Sequence, residues 1–208
     1  MAREQHQPDS AVRLYATPVT ASRRSNRGPS AGPENRRAII AAAREIFHEG
    51  GVQAPLSAVA RRAGVGQGSL YRHFPDRMSL AIAVFDENLR ELEDLAMRDE
   101  STMDDLFDAI TEQAIGSTAL VDLVLSSRDD PRAETLGLRM QDVIATIASR
   151  DQRDGRMAPD VDPADVMLAV SMLALMLSKS APEERAATAA RGREIYHRAF
   201  ALHPTAHR

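Results

Sequence analysis

The chain has 208 residues, 43% of them hydrophobic and 27% charged, so it is long enough to bury a sizeable core. It contains no cysteine, which excludes a disulfide framework, a thiolate nucleophile and a thiolate metal site. The N-terminus lacks the apolar segment of a signal peptide, and the longest apolar run, residues 166–177, is shorter than the ~20 residues that span a bilayer. These features predict a cytoplasmic protein without membrane association.

The net charge of −4 is divided unevenly along the chain. Residues 1–80 carry 12 arginines against 6 acidic residues, whereas residues 81–208 carry 14 basic residues against 24 acidic ones. The two parts therefore have net charges of +6 and −10. A basic N-terminal part on an acidic body is what DNA binding by one domain would produce, with chance variation in surface charge as the alternative.

Residues 1–33 mix Pro, Ser, Gly, Gln and Arg without periodicity, which predicts a disordered basic tail. Its arginines 13, 23, 24 and 27 are of the kind that enter a minor groove. The alternative is a solvated tail without defined contacts. Residues 34–80 are predicted to form a DNA-binding domain and residues 81–204 a larger C-terminal helical domain.

The first predicted helix runs from Glu34 to Glu49, where apolar residues recur at helical spacing and Gly50-Gly51 ends the helix. Residues 55–74, PLSAVARRAGVGQGSLYRHF, then form two short helices joined by a tight turn. Ala60 is small where the second helix crosses the first, and Gly64, four residues later, can adopt the positive φ that the turn needs. This spacing is typical of a helix-turn-helix.

In the second of these helices Leu70 faces the core, together with Val65 from the turn, and a polar set is left facing outward. The outward set consists of Gln67, Ser69, Tyr71, Arg72 and His73. Side chains of these types contact base edges and phosphates, so the motif predicts a DNA-binding element.

The rest of the chain is predicted to be helical. Asp76 is the expected N-cap of a long helix that extends toward Met97. Ser101 and Asp104 have capping-box spacing, and the helix they begin should end at Gly116, before a short apolar segment from Leu120 to Leu125.

Two Asp-Pro pairs, Asp130-Pro131 and Asp162-Pro163, mark two further helix starts, and Gly155 ends the first of these helices. Ser180-x-x-Glu183 is expected to begin the last helix. No segment has the pattern of a strand. The fold class is therefore all-α, with a three-helix N-terminal head and a larger helical body.

Three stretches make the chain resemble TetR-family transcriptional regulators: Arg37–Gly51, the segment SAVARRAGV from Ser57, and the segment GQGSLYRHFPDR from Gly66. The close resemblance covers residues 34–80, and beyond them length and helix rhythm match. It implies a sequence-specific DNA-binding regulator: a repressor that a small apolar effector releases from a palindromic operator. The alternative is a DNA-binding scaffold or activator whose C-terminal domain binds a protein partner or no ligand.

The resemblance assigns DNA contacts residue by residue. Gln67 and Tyr71 are the expected contacts with bases and thymine methyl groups, and Arg77 is expected to bind phosphate at the start of its helix. The full set of expected DNA contacts is Ser57, Gln67, Gly68, Ser69, Tyr71, Arg72, His73 and Arg77. The family often has Thr or Ser where this chain has Pro55-Leu56, so the phosphate contact there depends on Ser57.

The resemblance also implies a homodimer and an effector pocket in the body. The run at 166–177 is apolar nearly all round, which one core or a twofold interface would explain, and a dimer also suits two recognition helices in successive major grooves ~34 Å apart. The expected dimer interface is Met167, Val170, Leu173, Ala174, Leu177 and Ile195. The expected pocket residues are Met103, Phe107, Met140 and Met172, with plain core packing as the alternative.

Enzymatic function is not predicted, because the sequence has no Gly-rich phosphate loop, nucleophile elbow or clustered acid-base set. No cofactor and no metal site are predicted either. His203 and His207 have i,i+4 spacing, but no carboxylate lies near them in sequence, and a fraying C-terminus explains them better. His48 is expected to be structural, since a histidine near a helix C-terminus interacts favourably with the dipole.

Overall fold

The computed structural model describes residues 32–116, 121, 123, 127 and 130–201. The chain divides into two units, Met1–Ala31 and Gly32–Arg208, and the described residues belong to the second. Eight α-helices are described: α1 (Gly32–Gly50), α2 (Leu56–Arg62), α3 (Gln67–His73), α4 (Arg77–Ala96), α5 (Met103–Gly116), α6 (Pro131–Arg153), α7 (Pro163–Lys179) and α8 (Arg185–Phe200). The all-α prediction is confirmed. The β-type pairing among the described residues is one isolated antiparallel bridge between Met157 and Ala201.

Three aspartates begin the long helices as predicted. The Asp76 carboxylate accepts a hydrogen bond from the Ser79 amide at 2.6 Å, and the two residues form a reciprocal capping box at the start of α4. Asp130 and Asp162 cap α6 and α7, each followed by a proline at the first helical position. Proline has no amide hydrogen, but an amide at the first helical position has no acceptor within the helix, so these helices lose no hydrogen bond.

Two predicted helix starts are wrong. Thr102, not Ser101, caps α5: the Thr102 main-chain and hydroxyl groups both bond to the Asp105 carboxylate, at 2.9 and 2.7 Å. The Ser101 hydroxyl instead donates to the Leu95 carbonyl at 2.5 Å. Ser180 closes α7 by donating its hydroxyl to the Met176 carbonyl, and a 3₁₀ turn (Pro182–Glu184) precedes α8.

The first three helices and the N-terminal half of α4 share a core, the head core. Ile39 and Phe47 from α1, Val59 from α2, Leu70 from α3 and Leu80 from α4 are at most 2% exposed. These side chains pack against one another, so α3 is held in a fixed orientation on α1 and α2.

A second core, the body core, joins the C-terminal half of α4 to α5, α6, α7 and α8. One stripe of α6 belongs to it, since Leu136, Met140, Val143, Ile144 and Ile147 are all buried. The predicted domain boundary at residues 80 and 81 falls inside α4 and stays a prediction. The predicted apolar segment Leu120–Leu125 lies mostly outside the described residues.

An ion-pair network fixes α4 to α6. The Arg139 guanidinium binds Glu93 in a bidentate manner, at 2.7 and 2.8 Å, and also reaches Asp86 at 2.5 Å. These bonds lower the pKa of Glu93 and raise that of Arg139. Because α4 carries residues of both cores, the network lies on the path between the head and the body.

No helix in the described part of the chain is long and apolar enough to cross a membrane.

Candidate nucleic-acid interface

The turn between α2 and α3 has the geometry that residues 60–65 predict. Gly64 adopts a φ of 68°, a region that side chains with a Cβ rarely enter. The Val65 amide then donates to the Ala60 carbonyl at 3.0 Å, which closes the turn over the small alanine. Val65 is half-buried and Leu70 is 1% exposed, so both pack into the angle between the helices as expected.

The predicted DNA contacts on α3 share its outer surface. Tyr71 is 50% exposed, and Gln67, Gly68 and Arg72 are also exposed. Ser69 and His73 are half-buried on the same short helix. Because Leu70 and Phe74 are buried in the head core, the neighbouring residues are held outward. The helix thus presents a phenol, a carboxamide, a hydroxyl, a guanidinium and an imidazole together, a set that suits base edges and phosphates.

Arg62 holds α2 against α1. Its guanidinium bonds to Glu45 at 2.6 Å and to Glu49 at 3.1 Å, and these bonds raise the pKa of Arg62. The neighbouring Arg61 is exposed on the same helix. Of these two adjacent arginines, Arg62 therefore stabilises the contact between α1 and α2.

Arg77 contacts the loop before α2. Its guanidinium donates to the Ala54 carbonyl at 2.7 Å and also to the Val52 carbonyl. Phosphate binding by Arg77 stays a prediction, but in this structure the side chain fixes the loop that leads into α2. The start of α2 agrees with the departure seen in the sequence: Pro55 is its N-cap without a side-chain bond, and Ser57 is exposed one residue inside the helix.

Arg36 was not singled out by the sequence. Its guanidinium lies over the Phe74 ring, 5.4 Å from the ring centre, and so joins the start of α1 to the end of α3. Arginine and phenylalanine 38 positions apart show no local pattern, so the tertiary structure was needed to find this contact.

The four predicted pocket residues divide between the core and the surface. Met103, Phe107 and Met140 are buried in the body core, whereas Met172 is 60% exposed. Phe107 and Met172 do border one apolar groove of about 770 Å³, between α7 and α8. Met103 borders a different cavity, beside Tyr196 and His197.

The predicted dimer residues divide between the core and the surface. Val170 and Leu177 are 8% and 0% exposed within one chain, so they have almost no surface left for a partner. Met167, Leu173 and Ala174 are half-buried, and Ile195 is 56% exposed. The exposed stripe of α7 is instead Leu168, Met172, Leu175 and Met176, at positions i, i+4, i+7 and i+8.

The described residues contain no group of three or more His, Asp or Glu side chains arranged to hold a metal ion. His203 and His207 lie outside the described residues. His48 lies at the end of α1, where its ring bonds to the Gly116 carbonyl of α5.

Part of this head matches the model of a known protein family. Residues 39–84 match the model for bacterial regulatory proteins of the tetR family. An HTH-type transcriptional regulator of Staphylococcus aureus (strain bovine RF122 / ET3-1) is 39% identical over 57 residues, 27% of this chain and 31% of that protein. The chain thus aligns with about a third of the length of such curated relatives.

Solved structures match more of the chain. A TetR transcriptional regulator from Streptomyces coelicolor is 28% identical with a TM-score of 0.58, and the match covers 82% of this chain and 99% of that one. A TetR transcription regulatory protein from Mycobacterium vanbaalenii is 21% identical with a TM-score of 0.55, over 83% and 98% of the two chains. The second likeness is one of fold.

Proposed function

We propose that this chain, which belongs to the TetR family of bacterial regulatory proteins, binds double-stranded operator DNA as a homodimer and thereby regulates transcription. The observation that carries the proposal is the outer surface of α3, where Gln67, Tyr71 and Arg72 are exposed on a helix fixed by Leu70 and Phe74. A helix of this kind enters the major groove and contacts base edges with its outward side chains.

Within this proposal, Gln67 and Tyr71 supply sequence discrimination. A glutamine carboxamide pairs with the donor and acceptor of adenine, and an aromatic ring contacts thymine methyl groups. Ser57, Ser69, Arg72 and His73 bind phosphates or base edges and set the register, and Gly68 leaves room for the backbone to approach. Arg36 and Arg77 position the head, through Phe74 and through the loop before α2.

The exposed stripe of α7 supports the dimer. Leu168, Met172 and Met176 are each about 60% exposed, and Ile195 of α8 lies beside the same groove. Gly192 allows α8 to approach α7 closely, since a Cβ at this position would meet the Leu173 side chain at 2.6 Å. A contiguous apolar surface across two helices is typical of a homodimer interface.

The regulatory cycle that we propose has two states. The ligand-free dimer binds a palindromic operator in the cytoplasm and represses transcription. A small-molecule effector bound in the body then favours a conformation in which the two heads no longer fit successive major grooves. The effector can shift this equilibrium by its differential affinity for the two states and by no more. The Arg139 network between α4 and α6 supports this path, because α4 carries residues of both cores.

Selection from random duplexes tests the DNA-binding proposal. We expect the purified protein to enrich a palindrome with half-sites in successive major grooves. Replacing Gln67 and Tyr71 by alanine is expected to lower affinity for that palindrome by 10- to 100-fold, with a much smaller loss on non-specific duplex. Equal losses on both duplexes would remove the specificity role of these two residues, and failure to enrich any sequence would overturn the proposal.

A further inference from the structure

A cavity of about 540 Å³ lies between α1, α4 and α5, where the head meets the body. We call it the junction cavity. Its apolar wall is formed by Leu92 and Leu95 of α4 and Ala109 of α5. Its volume is within the range of small-molecule sites, and this apolar wall is what such a site needs to hold a ligand's body.

The most informative residue of the junction cavity is Asn88 of α4. Asn88 is 8% exposed, yet its side-chain carboxamide makes no hydrogen bond within the described part of the chain. Its main-chain carbonyl does accept one, from Gln113 at 3.1 Å. The donor and the acceptor of this carboxamide are not sealed from solvent, so both are open to a partner from outside the chain. Asn88 lines the cavity, so a molecule bound there can bond to its side chain.

The other polar groups around the cavity are mostly paired with one another. Arg44 of α1 binds Glu91 of α4 at 2.8 Å, and Gln113 reaches the same carboxylate at 3.4 Å. His48 bonds to the Gly116 carbonyl. These contacts tie the three helices together around the cavity and do not require a charged ligand. Glu45 also lines the cavity and is paired with Arg62 of α2, and the two remaining charged residues, Arg98 and Glu112, have opposite signs.

These features define the ligand's chemistry. A carboxamide presents one donor and one acceptor side by side in a plane, so its best complement is a planar edge that also has an adjacent donor and acceptor. The apolar wall suits the face of a ring, and the balanced charges suit a neutral molecule. We propose that the junction cavity binds a neutral, planar nitrogen heterocycle with a cyclic-amide or amidine edge, such as a pyrimidine or purine base, and that Asn88 recognises this edge.

Occupation of the junction cavity has a consequence for regulation, which rests on the proposed function. The ligand would contact α1, which belongs to the head, and α4 and α5, which belong to the body. It would therefore bind one arrangement of head and body more tightly than another. The factor by which operator binding changes the ligand's affinity is also the factor by which the ligand changes operator affinity.

The binding test uses uracil and adenine as probes with the full-length protein, by isothermal titration calorimetry without DNA. We expect at least one of them to bind with a Kd below 1 mM. If uracil is that probe, 1,3-dimethyluracil, which has no N–H donor, should bind at least tenfold more weakly. Failure of both bases to bind at 5 mM would overturn the proposal.

Variants of Asn88 locate the binding. Asn88→Asp keeps the shape of the side chain but removes the amide donor, and it should raise the Kd of the probe at least tenfold. Asn35→Asp on α1 makes the same chemical change outside the cavity and should leave binding unchanged. If Asn88→Asp does not give a folded protein by circular dichroism, Asn88→Leu serves instead. Equal affinity of the Asn88 and Asn35 variants would contradict the assignment.

Operator affinity measured with and without the probe distinguishes failure of this proposal from failure of the proposed function. Saturating probe should change affinity for the selected palindrome at least threefold in the unmodified protein and leave it unchanged in the Asn88 variant. If the protein binds the probe but no DNA sequence is selected, the proposed function fails and the ligand site stands. If DNA binds and neither probe does, the ligand site fails alone.

Discussion

Leu168→Glu is expected to separate the two copies of the proposed dimer. Leu168 is 60% exposed on the stripe that also contains Met172, Leu175 and Met176. Full burial of a leucine side chain contributes ~1.5–3 kcal/mol, so covering the exposed part of Leu168 contributes about 1 kcal/mol per copy. A glutamate at this position loses that contribution and places a carboxylate against the partner's apolar surface.

The magnitude follows from the symmetry. Burying the carboxylate without a partner adds at least ~1 kcal/mol per copy, the lower end for an unsatisfied polar group. A twofold interface contains each substitution twice, so the total is about 4 kcal/mol. The dimer dissociation constant should therefore rise about 1000-fold.

Sedimentation equilibrium at micromolar concentration measures this change. Leu138→Glu is the matched control, because Leu138 is 57% exposed on α6, outside the α7 stripe. The Leu138 variant should stay dimeric while the Leu168 variant becomes monomeric with unchanged helix content. A Leu168 variant that stays dimeric, or an unmodified protein that is monomeric, would refute the interface.

Three further predictions concern stability, measured by urea unfolding. Gly64→Ala should lower the free energy of unfolding by ~1–2 kcal/mol, because Gly64 has a φ of 68°. Gly66→Ala, at a φ of −74° and with open space around its Cβ, should cost about 0.5 kcal/mol, through a weaker N-cap of α3 alone. Equal costs would contradict the turn geometry. Asp76→Ala should cost ~1 kcal/mol through loss of the α4 cap, and Asp76→Asn should restore most of it; no loss would contradict the capping box. Arg139→Gln should lower the free energy of unfolding by ~1–2 kcal/mol, because its guanidinium joins α4 to α6 and is partly buried. The decrease should be smaller in 1 M salt. Arg191→Gln, in a pair whose side chains are at least 60% exposed, should cost under ~0.5 kcal/mol, and equal effects of the two substitutions would argue against the network.

The head could be predicted in detail because its signals are local. The turn between α2 and α3 is closed within a few residues, by the positive φ of Gly64 and the bond from the Val65 amide to the Ala60 carbonyl. The aspartate caps of α4, α6 and α7 are also local, since the side chain bonds to an amide two or three residues later. Signals of this range are contained in the sequence itself.

The α7 surface could not be predicted residue by residue, for a physical reason. The run at 166–177 is apolar on nearly every side, so periodicity cannot separate the stripe that faces the core from the stripe that faces outward. The structure assigns Val166, Val170 and Leu177 to the core and Leu168 and Met172 to the surface. The predicted interface therefore included residues of the inner stripe.

The α5 start and the junction cavity depend on tertiary contacts. Ser101 and Thr102 both have an acidic residue three positions later, and the choice of Thr102 goes with the bond that Ser101 makes to the Leu95 carbonyl. The exposure of Asn88 to a cavity depends on α1 and α5 together, and neither lies near it in sequence. Residues of this kind need the fold before they can be recognised.

The central claim is sequence-specific DNA binding through α3, and the most direct measurement is a ratio of affinities. Fluorescence anisotropy with the selected palindrome and with a scrambled duplex of the same composition, at one salt concentration, gives this ratio. We predict at least ~1000-fold tighter binding to the palindrome, with a large loss of the ratio when Gln67 and Tyr71 are replaced by alanine. A ratio near one in the unmodified protein would contradict the account.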